Sequence, residues 1–186
     1  MAVSIILISL LSLFPGSGND PGIDYSPRLL HREASAVFGG KEFLMTELHI
    51  TGSTEGMAPV SGKFFSLKSS GGENIIAYIG RVNSCRAGGC SNPSLDGNDD
   101  ESEYFDYFIL FDSDKKVKLV RVYNYAATHG QEVAVKRWLD QFAGYDSGKP
   151  LRVGKEIDAI SGATISVYAI VADLQEKIRL LNKQNI

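Results

Sequence analysis

The sequence predicts an α+β fold: an antiparallel sheet built from hairpins, with packed helices and a long C-terminal helix that follows a Ser-Gly-Ala-Thr turn. Two observations predict the sheet. "GKFFSLKSSGGENIIAYIGRV" holds two apolar runs joined across Ser-Ser-Gly-Gly-Glu, and "YFDYFILFDSDKKVKLVRVYNYA" repeats that arrangement around Ser113-Asp114-Lys115. The third observation predicts the helix. Val167, Ile170, Val171, Leu174, Ile178 and Leu181 make one stripe at helical spacing, while Asp173, Glu176, Lys177, Arg179 and Lys183 fall outside it.

Taken in chain order, "MAVSIILISLLSLFPGSGND" opens with an apolar run from Ala2 to Phe14 that breaks into Pro, Gly and Ser. That is the length of a signal-peptide core and shorter than the roughly 20 residues of a membrane span. We therefore expect a signal peptide over residues 1–18 and one domain over 19–186, exported to the periplasm or the cell surface. A basic start is missing, and an uncleaved anchor or a buried helix is the alternative. "SPRLLHREASAVFGG" follows as a short helix that opens at Ser26-Pro27 and stops at Gly39-Gly40, and "FLMTELHITG" as a strand. In the second hairpin the alternation of Val117, Leu119 and Arg121 is broken by Val120 and Val122, which predicts cover on both faces. "GQEVAVKRWLDQFAGY" then reads as one amphipathic helix. Val135, Trp138, Leu139 and Phe142 share its buried face, and Glu132, Lys136, Arg137 and Asp140 face water.

The chain has 186 residues, 44% of them hydrophobic, enough for one domain with a core of its own. A formal net charge of -3 gives no reason to expect nucleic acid as a partner. Cys85 and Cys90 stand close together in "NSCRAGGCSNP". In an exported chain a local disulfide is the first reading, and a redox pair with Arg86 favouring thiolate is the second. Neither a zinc set nor a c-type haem attachment spacing is present around them.

"EIDAISGATISVYAI" sets the chemical question. A helix start exposes backbone N–H groups and the positive end of the dipole, Gly162 permits close approach, and Ser161 and Thr164 add hydroxyls. Those features suit a phosphate. A Ser or Asp N-cap explains the same residues without any ligand, and Asp158 fits a cap acceptor better than a neighbour of phosphate.

The run Asp158-Ala159-Ile160-Ser161-Gly162-Ala163-Thr164 resembles the flavinylation motif of the FMN-binding domain family, written Asp, two variable residues, Ser or Thr, then Gly-Ala-Thr. That family includes subunits of the sodium-pumping NADH:quinone oxidoreductase and of related ferredoxin-linked complexes. The similarity extends upstream through the hairpin, the polar loop and the helix ending in Phe-x-Gly, over about 104–183, and more loosely over the hairpin at 62–82. The resemblance implies FMN esterified through its phosphate to Thr164 by a separate flavin transferase. Ser161, Gly162 and Ala163 would shape the turn, and Asp158 would serve recognition by the transferase. It also implies a cofactor contact from the loop Thr128-His129-Gly130, where the pump subunits carry Glu-Thr-Pro-Gly. That departure, and Val167 where a Ser or Thr is usual, point to a free-standing exported electron carrier that works with a redox partner protein. A flavin-dependent thiol or small-molecule reductase using Cys85 and Cys90, and a non-catalytic binding module, are the competing readings.

Overall fold

The protein is described by a computed structural model covering residues 22–50, 62–84 and 103–184. The expected signal peptide and the pair Cys85–Cys90 lie outside these residues.

Five strands form one antiparallel meander: β1 (Phe43–Leu48), β2 (Gly62–Ser69), β3 (Asn74–Asn83), β4 (Tyr104–Phe111) and β5 (Val117–Tyr125). Helix α1 (Arg28–Val37) precedes the sheet. The single turn α2 (Lys136–Leu139) and the long α3 (Thr164–Asn182) follow it. The α+β expectation holds, and both hairpins fall where the polar turns put them.

Period-two alternation gives the sheet two apolar faces and hence two cores. The row Phe64, Tyr78, Ile109 and Val120, aligned by strand register, packs under α3 together with Trp138, Leu139 and Phe142. The neighbouring row Phe65, Ala77, Leu110 and Leu119 packs under α1 with Leu30, Ala34 and Phe38. Register shifts in the β4–β5 pairing explain the broken alternation of β5, which supplies Val117 and Val120 to one core and Leu119 and Tyr123 to the other.

Residues 131–142 depart from expectation. In place of one helix the chain makes a 3-10 turn (Gln131–Ala134), the short α2 and a second 3-10 turn (Asp140–Phe142). Val135 is extended and 52% exposed, and Val133 takes the buried place assigned to it. The reason is tertiary. This segment wraps the edge of β5, where Gly144 N–H donates to Val117 O at 2.7 Å and Val117 N–H to Tyr145 O at 2.8 Å. Buried Arg121 fixes the wrap by donating to Asp140 at 2.9 Å, with Glu33 of α1 at 3.7 Å on its other side. Lys136, and then Arg121, hold the Asp140 carboxyl below its usual range despite some desolvation.

The α3 stripe is buried as read. Lys177, which falls outside the stripe, is also buried, at 3% exposed. Its ammonium pairs with Asp173 at 2.8 Å and sits 5.7 Å over the Tyr78 ring. Tyr107, from the middle of β4, donates its hydroxyl to the same Asp173 at 2.6 Å. Burial, then the Asp173 charge, push the Tyr107 hydroxyl well above its ordinary pKa, so it stays a donor. The helix is thus bolted to the sheet from its centre.

Candidate flavin-attachment site

The approach to α3 is a tight loop. Arg152 and Glu156 form a bidentate ion pair, and the guanidinium holds the Glu156 carboxyl down to about 2. Gly154 N–H donates to Ile157 O at 2.7 Å, and the Ile157 side chain is fully buried. Asp158 is then clamped by its backbone from both sides. Its N–H donates to Gln141 Oε1 at 2.9 Å, and its carbonyl accepts the Trp138 indole N–H at 2.9 Å. Trp138 was expected to serve only the core; it is buried and also positions this loop. The Asp158 side chain is left pointing to solvent.

Past Asp158 the chain turns over Ile160 to Ala163, closed by Ala163 N–H to Ile160 O at 3.2 Å. Gly162 occupies this turn at φ +82°, a conformation glycine adopts without penalty. The space where its Cβ would stand is open, with no atom within 4 Å. Ala163 is the N-cap of α3 and makes no side-chain cap bond. It is 2% exposed, so its methyl belongs to the core.

This overturns the capping reading of the motif. Neither Ser161 nor Asp158 caps the helix. The first helical bond runs from Val167 N–H to Ala163 O at 2.9 Å, which leaves the amides of Thr164, Ile165 and Ser166 without a partner among the described residues. Thr164 is the first helical residue and is exposed, as are Ser161 and Gly162. A bare helix start with a free hydroxyl on its first residue and an open glycine before it is a fitting cradle for a phosphate diester.

The loop 128–130 reaches the same end of α3 through Ser166. A Cβ on Gly130 would stand 2.6 Å from the Ser166 hydroxyl, so only glycine, at φ +84°, allows this approach. The Ser166 hydroxyl shares a hydrogen bond with Ser84 Oγ at 2.6 Å and lies 3.4 Å from the Tyr125 hydroxyl. Tyr125 donates to the carbonyl of His129, whose side chain is exposed. Thr128 donates its hydroxyl to buried Glu103. So Gly130 sits against the first turn of α3, Thr128 is engaged by the start of β4, and His129 points outward.

Among the described residues, one cavity of about 220 Å³ lies beside β1, Gly62 and Leu180 and another of about 400 Å³ beside the start of α1, Asp106 and Asn124. Thr164 lines neither. At the motif itself, Ser161, Gly162 and Thr164 are exposed.

The FMN-binding domain family model matches residues 104–179, from the first residue of β4 to the late turns of α3. Residues 104–179 are an FMN-binding domain. Among the curated proteins no match is found. The domain so delimited contains the hairpin β4–β5, the wrapped segment with Trp138 and Gln141, and the bare start of α3. Its cofactor is FMN, and its role is flavin-based electron transfer. Sequence reasoning missed Gln141, Ser166, Ser84 and Glu103. For Trp138 a signal did exist, since a buried indole needs an acceptor for its N–H.

Proposed function

We propose that the protein is an exported electron-transfer flavoprotein whose FMN is esterified through its phosphate to Thr164. One observation carries the reading: the first residue of α3 is an exposed threonine at a helix start that no side chain caps. Bound FMN supplies one- or two-electron redox chemistry. The chain's residues hold it. The amides of the first turn and the positive end of the helix stabilise the phosphate charge, and Gly162 leaves room for it. Trp138 and Gln141 keep the Asp158 backbone fixed, so that its carboxylate is offered outward to a flavin transferase. A cavity encloses most non-covalently held cofactors. An exposed Thr164 hydroxyl suits a covalent tether, which retains its group without enclosure.

The apolar stretch from Ala2 to Phe14 supports export, with the flavin transferase and the redox partner protein on the same side of the membrane. Among the described residues no helix is long and apolar enough to cross a membrane.

Co-expression with a flavin transferase and intact-mass measurement test the attachment. The unaltered chain gains one FMN, and Thr164→Val, which keeps the shape and removes the hydroxyl, gains none. FMN retained on Thr164→Val would overturn the assignment.

A further inference from the structure

Tyr168 is 56% exposed, and its neighbour Ile165 39%; both belong to the first two turns of α3. No hydrogen bond or ring contact engages Tyr168 among the described residues, whereas Tyr78 and Tyr107 are fully buried and the Tyr123 and Tyr125 hydroxyls are bonded. Aromatic side chains carry large apolar surfaces that are usually covered. This one is bare, and its place on the helix is informative.

Thr164 and Tyr168 are four residues apart, so they share a helix face with about 5–6 Å between their Cβ atoms. Helical side chains lean toward the N-terminus and cover the turn before their own Cα. A Tyr168 side chain with this lean is directed toward the turn that carries Thr164. The residue one turn further on, Ala172, is small and exposed and does not compete for the ring. We infer that Tyr168 is a positioning residue for the cofactor, the wall against which FMN attached at Thr164 rests. This rests on the attachment proposed above and goes beyond it. Tyr168 lies outside the stretch from Asp158 to Thr164, and among the described residues the exposed large apolar side chains are Leu44, Val135, Ile165 and Tyr168, the last two of which stand in the first two turns of α3 with Thr164. Ile165 extends that surface on the adjoining side of the helix.

A phenol or indole in contact with flavin quenches its emission, which gives a readout separate from electron-transfer activity. Unaltered protein, Tyr168→Leu and Tyr168→Trp are each loaded by co-expression with a flavin transferase and compared by intact mass, flavin emission and anisotropy. All three carry one FMN. Tyr168→Leu emits more strongly and with lower anisotropy, because loss of an aromatic contact shifts the balance between flavin resting on the helix and flavin free of it about five-fold, the equivalent of about 1 kcal/mol. Tyr168→Trp stays dim. Equal emission from fully loaded Tyr168→Leu and unaltered protein would overturn the inference while leaving Thr164 as the anchor. An unaltered chain without FMN would overturn both.

Discussion

The two halves of α3 are held in opposite ways. From Asp173 onward the helix is fastened. Lys177 is buried, paired with Asp173 and set over the Tyr78 ring, Tyr107 donates to the same Asp173, Asn182 donates to Asp146 O and Ser147, and Lys115 donates to Gln184 O just past the end. At its start, among the described residues, only Ser166 is tied down by side-chain hydrogen bonds, while Thr164, Ile165 and Tyr168 are exposed and the cap position is an alanine. A helix secured at its centre and tail does not need a cap to stay in place. Its orphan amides can then remain free for a ligand's phosphate. The cost of an uncapped start is about 1 kcal/mol, small beside what the fastened half contributes.

The largest way to break this contrast is Asp173→Ala. It strands the Lys177 ammonium in the interior and removes the acceptor of Tyr107, so urea unfolding should report a loss of about 3 kcal/mol. Replacing Asp173 and Lys177 together by Leu and Met should recover most of that loss, since the uncompensated charge is then gone. Gly130→Ala comes next, with about 2 kcal/mol expected from a positive φ and a contact with Ser166 that must give way. Its effect should fall on the start of α3, seen as faster amide exchange there than around Asp173. Smallest is Ser161→Ala. Because Ser161 caps nothing, the change should stay within about 0.5 kcal/mol; a loss near the 1 kcal/mol typical of a lost cap would restore the capping reading.

Much of this architecture is legible in the chain because local signals and tertiary structure agree. Ser-Ser-Gly-Gly-Glu and Ser113-Asp114-Lys115 turn hairpins, and Lys115 takes a positive φ of 61° in the second. The α3 stripe is long enough to fix its period. Residues 131–142 misled because their apolar spacing suits a helix, while the ladder offered by the edge of β5 and the anchor at Arg121 impose short turns instead. Lys177 was not marked as buried because charge predicts exposure, and the Tyr78 ring it lies over is far away in the sequence. At the site, the motif from Asp158 to Thr164 and the loop 128–130 were named from the chain, and their meeting through Ser166 and Gly130 was not. No periodicity encodes a hydroxyl beside a glycine from another loop. That Ser161 and Asp158 leave the helix uncapped also needed coordinates, because the deciding residue is Ala163, whose burial only packing shows.

The central claim is that the hydroxyl at the uncapped start of α3 anchors the flavin. Trypsin cuts after Lys155 and after Lys177, with no Lys or Arg between them, so peptide 156–177 isolates the motif together with Ser161, Thr164 and Ser166. Protein loaded by a flavin transferase and digested in this way should yield that peptide with one FMN added, and fragment ions should place the added mass on Thr164. The same mass on Ser161 or Ser166, or a peptide 156–177 that carries no flavin, would contradict the account.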